Sequence, residues 1–207
     1  MKTTMTICAL LLAASLTAQS RDPGQYDVKE PLRVATAALP TLRSLAEKVP
    51  TVIGLTAGEA ASAQLGQPLQ LFVVGLDALK RYTSGADPRA LLQDVRTVHY
   101  PILVGGVVRS SIVVKQKPQG WVATDFGQVE LAKRVAAARG AAAGEAFLVR
   151  VPALNTYFVG TTSGGSLQLI PIADVPGTDL RANQPAPAGA VFNTLAARAR
   201  ANNGLPT

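Results

Sequence analysis

The sequence has very few of the side chains that bind metals or form disulfides. Its 207 residues include one cysteine, Cys8, and one histidine, His99, and its 13 acidic residues are scattered along the chain. Zinc and other transition-metal sites are usually built from several cysteine, histidine and carboxylate ligands. The sequence therefore predicts no metal and no other cofactor, and we expect the protein to fold without a disulfide.

Motifs of the common hydrolases are also missing. There is no Gly-x-Ser-x-Gly nucleophile elbow. Ser111 and Lys115 come nearest to a serine–lysine pair, but four positions along a strand separate their α-carbons by about 13 Å, too far for proton transfer. No glycine-rich loop leads from a predicted strand into a helix, so a phosphate-binding loop is not expected. These absences favour a protein without catalytic activity.

The first twenty residues have the pattern of a secretory signal peptide. Lys2 gives a positive start, residues 7–16 form an apolar run, and Ala18-Gln19-Ser20 places small residues at the expected cleavage site. The run is about half of the ~20 residues that cross a bilayer, and Cys8 stands at its beginning rather than at the cleavage site. We therefore predict export to the periplasm or the outside, with neither a membrane helix nor a lipid anchor after cleavage.

The mature chain carries a modest excess of positive charge. After Lys2 leaves with the signal peptide, 19 basic and 13 acidic residues give a net charge of +6. The cations are scattered, with short pairs such as those at positions 115/117 and 133/134, and a dedicated nucleic-acid site would need a longer basic stripe. We expect the partner to be a protein, a polymer or a small ligand, and not a nucleic acid.

Local sequence signals predict three helices and a strand before residue 95. Proline at a first helical position, a Thr-x-x-Glu capping box and an Asp-Pro N-cap pair each mark a helix start. An apolar, β-branched run marks a strand. The predicted helices span residues 40–49, 57–65 and 88–93, and the predicted strand spans residues 69–74.

The rest of the chain is dominated by strand patterns. Gly105-Gly106 separates two apolar runs, and two glycines in succession accept the positive φ angles of a two-residue hairpin turn. An order of meander, helix and hairpin indicates an α+β fold, in which a largely antiparallel sheet, made of the meander and a C-terminal hairpin, packs with several helices. The predicted strands span residues 95–104, 107–116, 121–124, 147–161 and 166–172, and the helix spans residues 126–142.

The domain plan follows from these segments. Residues 1–20 are the signal peptide, and residues 21–35 are expected to be a flexible mature N-terminus. Residues 36–175 form a single α+β domain. Residues 176–207 form a Pro/Ala-rich linker and a short C-terminal helix, over residues 191–201, that either docks on the domain or stays loose.

His99 is interpreted as a structural residue. A strict two-residue turn at Gly105-Gly106 would pair His99 with Ile112. The other face of the hairpin is also partly apolar, so either helices cover both sides or a bulge shifts the register. With the strict turn, the histidine shares its apolar face with Leu103, Val108 and Val114.

The sheet region supplies the candidates for partner contact. Trp121, Tyr100 and Tyr157 are large aromatic residues near predicted strands, and Arg109 lies on the central hairpin. We predict an exported, soluble, non-catalytic binding or interaction domain that uses a sheet face or the hairpin tips. Two alternatives stay open. One is a secreted hydrolase acting on envelope or extracellular polymer, with acids or His99 assembled by the fold, and the other is a structural or chaperone-like envelope component.

Export with cleavage can be tested on the protein made in a secreting host. The mature chain should begin at or near Arg21, because the small residues Ala18 and Ser20 mark the predicted cleavage site. Intact-mass spectrometry of the recovered protein measures the start. Recovery of the full-length chain alone, from the cytosol and beginning at Met1, would contradict the prediction.

Overall fold

A nine-stranded sheet carries the other elements in the computed structural model, which describes residues 27–142 and 144–201. The strands are β1 (Gln64–Leu65), β2 (Leu69–Val73), β3 (Gln93–Val104), β4 (Val107–Lys117), β5 (Gly120–Gly127), β6 (Ala146–Val151), β7 (Thr156–Ser163), β8 (Ser166–Pro171) and β9 (Ala186–Pro187). They lie in the order β5-β4-β3-β2-β6-β7-β8-β9, and β1 pairs with β3. Among these described strands only β2 and β6 pair in parallel. The predicted α+β fold on a largely antiparallel sheet is confirmed.

Several helices begin at the signals that the sequence contains. Thr56 and Glu59 exchange both hydrogen bonds of the predicted capping box. The Asp87 carboxylate accepts the backbone N–H of Arg89 at 2.9 Å. The helices are α1 (Lys29–Ala37), α2 (Leu39–Lys48), α3 (Pro50–Ile53), α4 (Ala57–Ala61), α5 (Leu76–Arg81), α6 (Val129–Gly140) and α7 (Ala188–Ala201), and Pro88–Leu91 and Pro152–Leu154 are 3₁₀ turns.

Helices cover both faces of the sheet. On one face α1, α2, α3 and α4 enclose a cluster with β3 and β4 that includes Tyr100, and α5 and α7 enclose a second cluster with β6, β7 and β8. On the opposite face α6 packs on a third cluster through Val135. The alternation along β6 shows the division, since Phe147 and Val149 belong to the second cluster and Leu148 to the third.

The register of the central hairpin differs from the prediction. A β-bulge beside the turn inserts one extra residue, Arg109, into β4, and every pair beyond it shifts by one position. His99 therefore pairs with Val113, and the predicted pairing with Ile112 is wrong. Ile112 and Val114 face the cluster beneath α1–α4, whereas His99 faces α6. Helices thus cover both faces of the sheet and a bulge also shifts the register, so the two alternatives that the sequence left open occur together.

α1 occupies part of the segment predicted to be a flexible N-terminus. Pro31 and Ala35 are buried because α1 packs against β4 and β5. Residues 29–35 are thus helical and packed on the sheet, where the sequence analysis expected a flexible segment. The predicted signal peptide and residues 21–26 lie outside the described residues. Within the described ranges, no helix combines the length and the apolar content that a membrane span requires.

The strand predicted over residues 147–161 is two strands joined by a sharp reversal. Pro152 has no backbone N–H to give to a sheet ladder, and Asn155 adopts a left-handed conformation with φ of 48°. Asparagine tolerates this conformation better than most residues. The chain therefore turns back after β6, and β7 pairs antiparallel with it.

The C-terminal helix α7 docks on the sheet. Val191, Phe192 and Leu195 are fully buried, and the Phe192 ring packs edge-on against Tyr82 with ring centroids 5.8 Å apart. α7 also packs against α5, a helix that the sequence analysis did not predict. The packed unit therefore extends well beyond residue 175.

Truncation of a docked α7 side chain should destabilise the whole fold. We expect Leu195→Ala to lower the free energy of unfolding by about 2–5 kcal/mol, because the leucine is fully buried. Ala197→Ser, on the exposed side of the same helix, should change it by less than about 0.5 kcal/mol. Urea unfolding of the natural protein and of the two variants measures the three free energies of unfolding. Equal stabilities for Leu195→Ala and the natural protein would mean that α7 is not docked in solution.

Candidate functional site

The serine and histidine that could form a hydrolytic pair lie beneath α6. His99 and Ser111 line a cavity of only about 10 Å³ together with apolar side chains that include Leu69 and Val135. The Ser111 hydroxyl donates to the carbonyl of Gly127 at 2.8 Å. A nucleophile needs a base and a substrate within reach, and a cavity of this size has no room for a substrate.

The carboxylates are dispersed over the surface. In the part of the chain that the structure describes, no three histidine, cysteine, aspartate or glutamate side chains come together as a metal ion would require. Glu59 pairs with Arg109 at 2.9 Å, and Glu130 lies 3.5 Å from Lys133 on the same helix. These acids make local contacts and do not converge on one point.

The structure separates the four predicted contact residues. Tyr100 is fully buried in the cluster beneath α1–α4, and its burial raises its pKa to about 12. Trp121 is half-buried on β5 and packs against the same cluster. Arg109 donates to Glu59 of α4 at 2.9 Å. Tyr157 lines an open groove. Tyr100 thus offers no surface to a partner, and Tyr157 is the candidate that a ligand can reach in a sizeable cavity.

We call this cavity the Tyr157 groove. It measures about 550 Å³, and three parts of the fold line it. Part of its floor is apolar, because Leu131 and Tyr157 pack at the edge of the cluster beneath α6. Its lining consists of Glu130, Leu131 and Arg134 from α6, residues 154–157 from the turn after β6 and the start of β7, and residues 172–174 with Pro176 after β8.

Strand pairing holds the tyrosine in place. Arg150 of β6 pairs directly with Tyr157 of β7, and its guanidinium carbon lies 5.2 Å from the centroid of the tyrosine ring. This distance is that of a cation–π contact. The Arg150 Nε is buried and has no hydrogen-bond partner among the described residues. The ring is therefore braced by a positive charge that no carboxylate neutralises through a described ion pair.

The rim of the groove carries both signs of charge. Glu130 is exposed and lies near Lys133. Asp174 accepts the backbone N–H of Ala182 at 2.8 Å. Arg134 is exposed on α6, one turn after Glu130. The rim therefore offers hydrogen-bond donors and acceptors around an apolar floor.

Sequence reasoning missed most of this groove. It singled out Tyr157 but not Arg150, although Arg150 is the single charged residue in the apolar strand β6. A charge within a buried strand is a signal for a special role, since arginine is seldom buried without a partner. No local sequence pattern marks Leu131 or Ile172 as groove residues, because only the packing of α6 against the end of β8 brings them together.

A second cavity lies elsewhere on the sheet. It measures about 490 Å³, and its lining includes Gln70, Phe147, Thr162 and Arg139. Arg139 donates to the carbonyl of Gln67 at 3.1 Å. None of the four predicted contact residues lines this cavity, which is the competing location for a ligand.

The surroundings of His99 disfavour its charged form. Apolar side chains of α6 and the neighbouring strands remove the ring from water, which lowers its pKa from 6.5 to about 4, although Asp125 acts in the opposite direction. The ring is therefore neutral at pH 7. Because the unfolded chain binds this proton more tightly, the contribution of His99 to stability is complete above about pH 6.5 and is lost as the pH falls towards 4.

Replacement of His99 should remove this part of the acid sensitivity. Between pH 7 and pH 4 we expect the free energy of unfolding of the natural protein to fall by up to about 3 kcal/mol more than that of His99→Gln. Urea unfolding of both proteins over this pH range measures the difference. The contributions of the carboxylates cancel in this difference, because both proteins contain the same carboxylates. Parallel pH curves for the two proteins would show that the ring is not desolvated.

Comparison of the chain with protein-family models, with curated proteins and with solved structures finds no match. No residue role can therefore be carried over from a relative. The Tyr157 groove combines a reachable aromatic ring with charged side chains of both signs.

Proposed function

We propose that this protein is an exported, non-catalytic binding domain that holds its ligand in the Tyr157 groove. The observation that carries the proposal is the groove itself, in which an aromatic ring braced by Arg150 lies between polar side chains. Ligand sites are typically concave, partly apolar and equipped with a few polar groups that orient the ligand. The signal-peptide pattern of residues 1–20 supports export to the periplasm or the outside.

The arrangement of the nucleophilic groups supports binding without catalysis. The single histidine lies beneath α6 beside a cavity of only about 10 Å³, and the neighbouring Ser111 hydroxyl donates to a backbone carbonyl. Neither group lines the Tyr157 groove. A ligand in the groove would therefore meet hydrogen-bonding side chains and no activated nucleophile.

A secreted hydrolase is the second candidate function, because two carboxylates, Glu130 and Asp174, line the same groove. Glycoside hydrolysis needs one such carboxyl to stay protonated, which requires burial in an apolar setting. Glu130 is exposed beside Lys133, and Asp174 is exposed while it accepts the N–H of Ala182. The observed environments therefore favour binding over acid catalysis.

A fragment screen on the mature chain, residues 21–207, tests the location of the site. We expect bound fragments to shift the backbone amide signals of residues 155–157 and 172–174 in two-dimensional NMR spectra, because these residues line the groove. Tyr157→Leu, which keeps an apolar side chain but removes the phenol ring, should weaken these hits about tenfold. Val122→Ala on the edge strand β5 is the matched control and should leave them unchanged.

Two results would overturn the proposed site. One is a set of fragments whose shifts cluster at Gln70 and Thr162 in the second cavity and spare the groove. The other is a screen in which no fragment shifts the groove amides. The hydrolase function would instead be established if the natural protein cleaves a polysaccharide and both Glu130→Gln and Asp174→Asn abolish this activity.

A further inference from the structure

Side chains of both charge signs surround the Tyr157 groove. Glu130, Asp174 and Arg134 line it, Lys133 lies beside Glu130, and Arg150 lies beside the tyrosine. A charged ligand gains affinity from a field of the opposite sign. The groove is not lined by charge of one sign, and an ion of either sign would meet a like charge within it.

The polar groups of the groove include both donors and acceptors. A guanidinium only donates hydrogen bonds, a carboxylate only accepts them, and the amide of Asn155 does both. A hydroxyl group both donates and accepts, so a ligand rich in hydroxyl groups can pair with every member of this set. A purely apolar ligand would cover these groups without pairing them, which costs free energy.

The floor of the groove supplies an apolar surface against which a ligand ring can pack. The apolar surface of Leu131 and Tyr157 suits the C–H face of a sugar ring, because the face of an aromatic ring is weakly negative and attracts such hydrogens. The contact with Arg150 restricts the tyrosine ring before a ligand arrives. A ring that is already held loses little conformational entropy on binding.

From this combination we infer that the ligand of the Tyr157 groove is a neutral saccharide, bound with one ring against Tyr157 and its hydroxyl groups on Asn155, Arg134 and the two carboxylates. This inference rests on the proposed function, since it names the ligand class of the same groove. A volume of about 550 Å³ is sufficient for a short oligosaccharide or for part of a longer chain.

NMR titration of the mature chain with chosen probes tests the inference. The saccharide probes are maltotetraose, cellotetraose, mannotetraose and chitotetraose, and the comparison probes are tetraglycine and octanoate. We expect at least one saccharide to shift the amides of residues 155–157 and 172–174, and neither comparison probe to do so. Arg134→Ala, an exposed position where folding is not at risk, should weaken that saccharide about tenfold through the loss of a charge-assisted hydrogen bond. Lys117→Ala, at an exposed position outside the groove lining, should bind as the natural protein does.

The outcomes separate this inference from the proposed function. If tetraglycine or octanoate occupies the groove and no saccharide does, the saccharide inference is overturned while the binding function stands. Saccharide shifts that appear only around Gln70 and Thr162, or an unchanged affinity in Arg134→Ala, would also overturn it. If neither these probes nor the fragment library reaches the groove, both proposals fail.

Discussion

The parallel pairing of β2 with β6 is the contact on which the rest of the structure depends. Leu71, Phe72 and Val73 pair with residues 148–150 and join the N-terminal meander to the C-terminal hairpin in one sheet. The pairing also lets Val74 donate its backbone N–H to the carbonyl of residue 150 at 2.9 Å. Without this contact two small sheets would each expose an unpaired edge. The helices could then not cover a continuous surface.

The helix α6 links the interior to the candidate site. Leu131 lines the Tyr157 groove and also the small cavity beside His99, so one helix face packs over the histidine and forms a wall for the ligand. The helix starts after a tight turn in which the carbonyl of Gly127 accepts the Ser111 hydroxyl. A ligand wall fixed in this way is preorganised, because its position follows from packing that exists without the ligand.

The candidate site could be predicted from the sequence only in part. Tyr157 was found because an aromatic residue near a strand is a plausible contact. Tyr100 has the same local pattern, yet it is fully buried while Tyr157 reaches the groove. The difference arises because the pleat directs the two rings to opposite faces of the sheet, where α1–α4 cover Tyr100 completely and α6 leaves a groove beside Tyr157. Residues such as Leu131 join the site through distant packing, which leaves no trace in the local sequence.

Local signals by themselves determined much of the secondary structure. Gly105-Gly106 specified the central turn through its positive φ angles of 57° and 81°, and the capping box of Thr56 and Glu59 specified the start of α4. These features depend on neighbours within about four positions, so the sequence alone contains them. The bulge at Arg109, the docking of α7 and the parallel β2–β6 pair depend on burial against residues far along the chain. Only the tertiary structure decided them, because the free energy that selects them comes from long-range packing and not from local preference.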